Sequence, residues 1–115
     1  MSKIALVDDD RNILTSVSMT LEAEGFEVET YNDGQAALDA FNKKLPDMAV
    51  LDIKMPGLDG IDVLKDIKNN YQNIRVIMLT NYDFEQYRRQ CMQLGADYFF
   101  NKTLEFEKVV NVLIE

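Results

Sequence analysis

Five times along the chain a short apolar run is followed, within a few residues, by a longer stretch whose apolar side chains recur at three- and four-residue intervals. The short runs read as strands and the longer stretches as amphipathic helices. Strict alternation of the two, with short connections, predicts a parallel sheet built by right-handed crossovers, with helices on both of its faces.

The first strand is Lys3–Val7, after which Asp10 is placed to cap a helix over 11–24 with Ile13, Leu14, Val17 and Leu21 inward and Gly25 at its stop. Residues 26–31 alternate apolar and polar, as an edge strand does. Asn32 and Gln35 have capping-box spacing and open a second helix carrying Ala36, Ala37, Leu38 and Phe41, which Pro46 closes. The central strand covers 48–52, and a Met-Pro-Gly loop leads to a third helix over 59–69 with Val63, Leu64 and Ile67 inward. Residues 74–80 form a fourth strand; Asp83 and Gln86 again have capping-box spacing, before a helix with Phe84, Tyr87, Cys91 and Leu94 on one stripe and Gly95 at its end. Tyr98–Asn101 is the fifth strand, and Thr103 is expected to cap a last helix bearing Phe106, Val109, Val110 and Leu113. The fold class read from this alternation is α/β; with the common strand order 2-1-3-4-5, it is a five-stranded parallel sheet within a doubly wound (βα)5 flavodoxin-like sandwich. We expect one domain over 1–115, with no room for a further output domain.

Composition narrows the chemistry. There is no histidine, which removes the usual general base, the usual zinc ligand and every Ser-His or Cys-His nucleophile. The single cysteine, Cys91, allows no intrachain disulfide and reads as apolar filler. A net charge of −8 argues against direct binding to nucleic acid or an anionic membrane and favours divalent cations as companions. With no apolar stretch of membrane-spanning length and no signal-peptide pattern, a cytoplasmic protein is expected.

The ends of the strands carry the informative residues. Strand one runs into Asp8 and Asp9, strand three into Asp52, strand four into Thr80 and strand five into Lys102. In a parallel sheet these ends share one edge, and the expected strand order makes strands one and three neighbours at the switch point. Three clustered carboxylates repel, each like pair costing ~4 kcal/mol at ~4 Å and an effective dielectric of about 20. Hard oxygen ligands without histidine or thiolate favour Mg²⁺, with Mn²⁺ a similar ion. Lys102 is expected as a second positive point on the opposite side, with the Thr80 hydroxyl between. Such a set suits phosphoryl transfer to a carboxylate, with Asp52 as nucleophile.

These residues, in the runs Leu6-Val-Asp-Asp9, Val50-Leu-Asp-Ile-Lys-Met-Pro56 with Asp59-Gly60, Leu79-Thr80 and Gly95-Ala-Asp-Tyr-Phe-Phe-Asn-Lys102, resemble the CheY-like receiver domains of two-component response regulators. The resemblance implies that Asp52 takes a phosphoryl group from a sensor histidine kinase or phosphotransfer protein. It also implies that Asp9, Asp52 and the Lys54 backbone carbonyl ligate Mg²⁺, with Asp8 helping through water, and that Thr80 and Lys102 hold the phosphoryl oxygens. It implies a switch in which Thr80 and Phe99 move and the face of helix four, strand five and helix five changes its affinity for a downstream protein or a second copy. On this chain that face would include Tyr87, Arg88, Arg89, Tyr98 and Phe106.

Three residues depart from the family pattern. Thr103 stands where proline is usual after the lysine, so a cis peptide there, at ~3 kcal/mol for a non-proline bond, loses its justification. Asn81 stands where a small residue is common and would narrow access to Asp52; Phe99 lacks the hydroxyl of a frequent tyrosine. The opening third resembles the winged-helix regulators of the family and residues 79–107 resemble stand-alone or differently attached receivers, which hints at an engineered or recombined chain.

Taken singly these residues have plainer readings: an acidic turn and helix cap for Asp8, Asp9 and Asp10, a strand-end hydroxyl for Thr80, a surface lysine for Lys102, core for Phe99. Their conjunction favours the receiver. The alternative is a binding module on the same scaffold that does not switch. A flavin or nucleotide carrier lacks its glycine-rich loop after strand one.

Overall fold

A computed structural model describes residues 2–114. Strands β1 (Lys3–Val7), β2 (Glu27–Tyr31), β3 (Met48–Leu51), β4 (Arg75–Thr80) and β5 (Tyr98–Asn101) alternate with helices α1 (Arg11–Ala23), α2 (Gly34–Phe41), α3 (Gly60–Asn70), α4 (Glu85–Gln93) and α5 (Phe106–Leu113). All neighbouring strands are parallel, in the order β2-β1-β3-β4-β5. The expected fold class and strand order are both observed.

The two-residue period of the strands divides the core into two layers. Ile4, Leu6, Val50, Ile77 and Leu79 face one side and pack with Leu14, Val17 and Leu21 of α1 and Val109 and Leu113 of α5. Ala5, Val7, Ala49, Leu51, Val76 and Met78 face the other side and pack against Ala37 and Phe41 of α2, Val63, Leu64 and Ile67 of α3, and Cys91 of α4. Cys91 is filler, as expected; burial, with some help from the Asp59 charge, pushes its thiol up to about 11. β2 is the half-covered edge strand. No helix among the described residues is long and apolar enough to cross a membrane.

Helix starts depart from expectation in an ordered way. Asp10 caps α1 through the N–H groups of Asn12 and Ile13, at 2.9 and 3.4 Å. α2 is capped by Asp33, which accepts from Ala36 N–H at 2.7 Å, and not by Asn32, because the helix begins one residue later than the spacing suggested. Asp59 and Asp62 form a reciprocal capping box on α3. By contrast the N-cap positions of α4 and α5 are Phe84 and Glu105, neither of which makes a side-chain cap, so neither Asp83 nor Thr103 plays the part expected of it. Phe84, placed on the inner stripe by its spacing, is instead exposed, since the helix starts only after it.

Candidate functional site

Two adjacent strand ends set the first half of the site. Asp8 follows β1 directly and donates its backbone N–H to the Tyr31 carbonyl at 3.1 Å, while Asp52 follows β3 and donates to the Val7 carbonyl at 3.0 Å. Continuing the ladder one residue beyond each strand fixes both carboxylates at the same edge. Their side chains are nearly closed off from solvent, Asp8 at 2% and Asp52 at 6% exposure. Asp8 accepts the Asp10 N–H at 2.9 Å, and Asp52 accepts that of Ile53 at 2.7 Å.

The second half comes from β5. Lys102 Nζ reaches Asp8 Oδ2 at 2.6 Å and Asp52 Oδ2 at 2.7 Å. The sequence placed this ammonium across the site from the carboxylates; in the structure it binds two of them directly. Burial pulls the Lys102 ammonium down, but hydrogen bonds and charge from Asp52 and Asp8 outweigh it, leaving the group above its ordinary value. Burial also raises the Asp8 carboxyl; the hydrogen bond from Lys102 and the one from the Asp10 backbone oppose the rise, and the Asp52 charge adds to it.

One carboxylate oxygen from each of Asp8, Asp9 and Asp52 lies within 4.8 Å of the others. Asp9 is exposed and Asp8 and Asp52 are buried, so the cluster opens to solvent on one side. Three carboxylates against one ammonium leave negative charge to be balanced, and an all-oxygen donor set suits a hard divalent cation. The residues present fit such an ion.

Thr80, fully buried at the end of β4, is joined to this half through its backbone: its carbonyl accepts the Lys102 N–H at 2.9 Å. Its hydroxyl accepts the Tyr82 N–H at 3.0 Å, and among the described residues it is not hydrogen-bonded to the carboxylates. The Lys54 ammonium lies 5.6 Å from the Tyr82 ring centre and 5.3 Å from that of Tyr87.

Residues 4–114 match the response regulator receiver domain. The chain belongs to this family. It is 36% identical over 107 residues to the sporulation initiation phosphotransferase F of Bacillus subtilis, covering 93% of this receiver domain and 86% of that protein. To the alkaline phosphatase synthesis transcriptional regulatory protein PhoP of the same organism it is 38% identical over 100 residues, or 87% of this chain but 42% of that protein. Among solved structures, the response regulator protein TrrA of Thermotoga maritima, in complex with Mg²⁺ and BeF, superposes with a TM-score of 0.89 at 31% identity, covering 99% of this chain and 97% of that one.

Around the receiver site the aromatic residue proposed to move is held in place. Phe99 is buried at 4% exposure; the Arg88 guanidinium lies 4.7 Å from its ring centre and donates to its carbonyl at 3.1 Å. Tyr87 and Arg88 of α4, Tyr98 of β5 and Phe106 of α5 are half-buried, and Arg89 is exposed. The Lys102–Thr103 peptide is trans, the described residues having no cis bond.

Three residues with a part in the site went unassigned in the sequence. A Cβ on Gly60 would overlap the Asp52 carbonyl oxygen, and its N–H donates to Ile53 O at 2.8 Å, so α3 begins against the backbone of the candidate nucleophile. Asn101 is buried and accepts the N–H groups of Thr103 and Leu104, both at 2.8 Å, which shapes the loop after Lys102. Asp83 accepts from the Asn101 amide at 2.9 Å. The glycine after a helix-capping aspartate and the asparagine before Lys102 were the available signals; Asp83 gave one only for a cap.

Proposed function

We propose that this receiver domain accepts a phosphoryl group on Asp52 from a phosphohistidine of a sensor kinase or phosphotransfer protein. A carboxylate oxygen of Asp52 attacks phosphorus, the P–N bond breaks, and the histidine nitrogen leaves with the bonding pair and takes up a proton. Attack of water on phosphorus later returns the carboxylate and releases phosphate. Asp8, Asp9 and Asp52, with the Lys54 carbonyl, would hold Mg²⁺ or Mn²⁺, which supplies charge neutralisation for the phosphoryl oxygens. Lys102, now shared between Asp8 and Asp52, would turn to an incoming phosphoryl oxygen, and Thr80 would exchange the Tyr82 N–H for another.

The observation that carries this reading is the pair of buried carboxylates bridged by one ammonium at the sheet's carboxyl edge. The Mg²⁺ and BeF in the TrrA complex support it by analogy. We propose further that residues 1–115 act as a single receiver unit in the cytoplasm, with α4, β5 and α5 as the face read by a downstream protein or a second copy, and with no nucleic acid or membrane bound directly.

Amide spectra recorded with Mg²⁺ and beryllofluoride test the reading. Shifts at Asp52, Thr80, Phe99 and Lys102 that vanish on chelation, with the fold retained, are expected. Unchanged spectra would instead make the chain a binding module that does not switch, and unfolding on chelation would make the metal structural.

A further inference from the structure

The two side chains at the rim that depart from the family pattern, Asn81 and Thr103, are partners. Thr103 Oγ1 donates to Asn81 Oδ1 at 3.0 Å, joining the loop that follows Thr80 to the loop that follows Lys102. Two further links flank it: Lys102 N–H to the Thr80 carbonyl at 2.9 Å, and the Asn101 amide to Asp83 at 2.9 Å. Asn101 also accepts the Thr103 N–H, so the residues on both sides of Lys102 are fixed to the Thr80 loop or to each other. Asp83 and Thr103 lie one and two residues before the N-cap positions of α4 and α5, which leaves their side chains available for these links.

We propose that Asn81 and Thr103 are a positioning pair that sets the spacing between the Thr80 hydroxyl and the Lys102 ammonium, the two groups that would receive the phosphoryl oxygens. The inference rests on the phosphoacceptor reading above. Donor groups must sit where charge develops, and small displacements of them lower the rate without disturbing the fold. Asn81 and Thr103 are exposed, so the pair is reached by substitution without opening the core. The carboxylates that would hold the metal come from β1 and β3, outside the two linked loops, so the pair bears on them only through the Lys102 ammonium that touches Asp8 and Asp52.

The test measures labelling of the whole chain by phosphoramidate with Mg²⁺ at saturating donor, alongside Mg²⁺ affinity from amide shifts. Thr103→Val keeps the shape and removes the hydroxyl; a side-chain hydrogen bond of ordinary strength corresponds to a maximal rate lower by about three- to tenfold. Thr103→Ser restores the rate to within about twofold, on the same scale. Asn81→Leu, which keeps the bulk at the rim, slows labelling like Thr103→Val, and the double variant is no slower than the slower single one, as a shared bond requires. Mg²⁺ affinity, which the pair reaches only through Lys102, changes by no more than about twofold in every variant. Parental labelling by Thr103→Val, independent effects in the double variant, or loss of Mg²⁺ affinity would each overturn the proposal. If the parent itself takes no phosphoryl group, the phosphoacceptor reading falls and this inference with it; if the parent labels and Thr103→Val matches it, only this inference falls.

Discussion

The first three strand-helix units and the last two are built differently. In the former, aspartates spend their side chains locally: Asp10, Asp33 and Asp59 each cap the helix that follows. In the latter the N-cap positions hold Phe84 and Glu105, which make no side-chain cap, and the polar residues just before them reach across: Asp83 accepts from the Asn101 amide and Thr103 donates to Asn81. The capped part supplies the carboxylates, whose positions must not vary if a metal is to be held. The uncapped part supplies Thr80, Lys102 and Phe99, the groups proposed to change partners. Fewer local constraints at the starts of α4 and α5 lower the cost of moving them.

The largest effect should come from breaking the capped part where it touches the nucleophile. Gly60→Ala forces a methyl group onto the Asp52 carbonyl and is expected to cost about 3 kcal/mol in urea unfolding. A loss below ~1 kcal/mol would mean that α3 can withdraw freely from β3 and that the capped part is no more rigid than the uncapped one.

Next comes the pH dependence of the metal-free protein. The Asp8 carboxyl is raised in the fold, chiefly by burial, so the fold favours its protonated form. That favourable contribution is complete below the unfolded value of about 3.9 and is lost as pH rises through the folded value. Lys102 is also raised; its contribution is present at neutral pH and lost only above the usual lysine range. Stability should therefore fall as pH rises above about 4 through the folded Asp8 value, and Asp8→Asn should flatten that slope, as should Mg²⁺. Equal slopes for parent and Asp8→Asn in thermal unfolding would contradict the assignment.

A smaller effect separates the two kinds of helix start. Asp59→Ala removes a capping box and should cost about 1 kcal/mol. Thr103→Ala removes an exposed hydrogen bond but no cap and should cost about 0.5 kcal/mol or less. Equal costs would erase the distinction.

The same division explains what the sequence could and could not tell. Strand identity and the gathering of Asp8, Asp52 and Lys102 at one edge follow from apolar patterning and the rules for parallel sheets, and these were legible; strand order was taken as the common one for such a chain, and the structure has it. The Asp10 cap was legible because it depends on residues two and three positions away. Asp83 and Thr103 gave the same local signal as a cap, yet their partners lie 18 and 22 residues distant in sequence, where no local pattern reaches. Lys102 was found as a site residue but misplaced across the cavity, because its side-chain direction depends on the electrostatic demand of two buried carboxylates. The close approach of Gly60 to the Asp52 carbonyl is a backbone contact whose one trace in the sequence is the glycine after Asp59.

The central claim is that Asp52 is the nucleophile toward phosphorus. Incubating the parent chain with phosphoramidate and Mg²⁺ and recording its intact mass tests it most directly. The expected result is one phosphoryl adduct that is absent in Asp52→Asn and absent after chelation. An adduct of equal yield in Asp52→Asn, or none in the parent, would contradict the account.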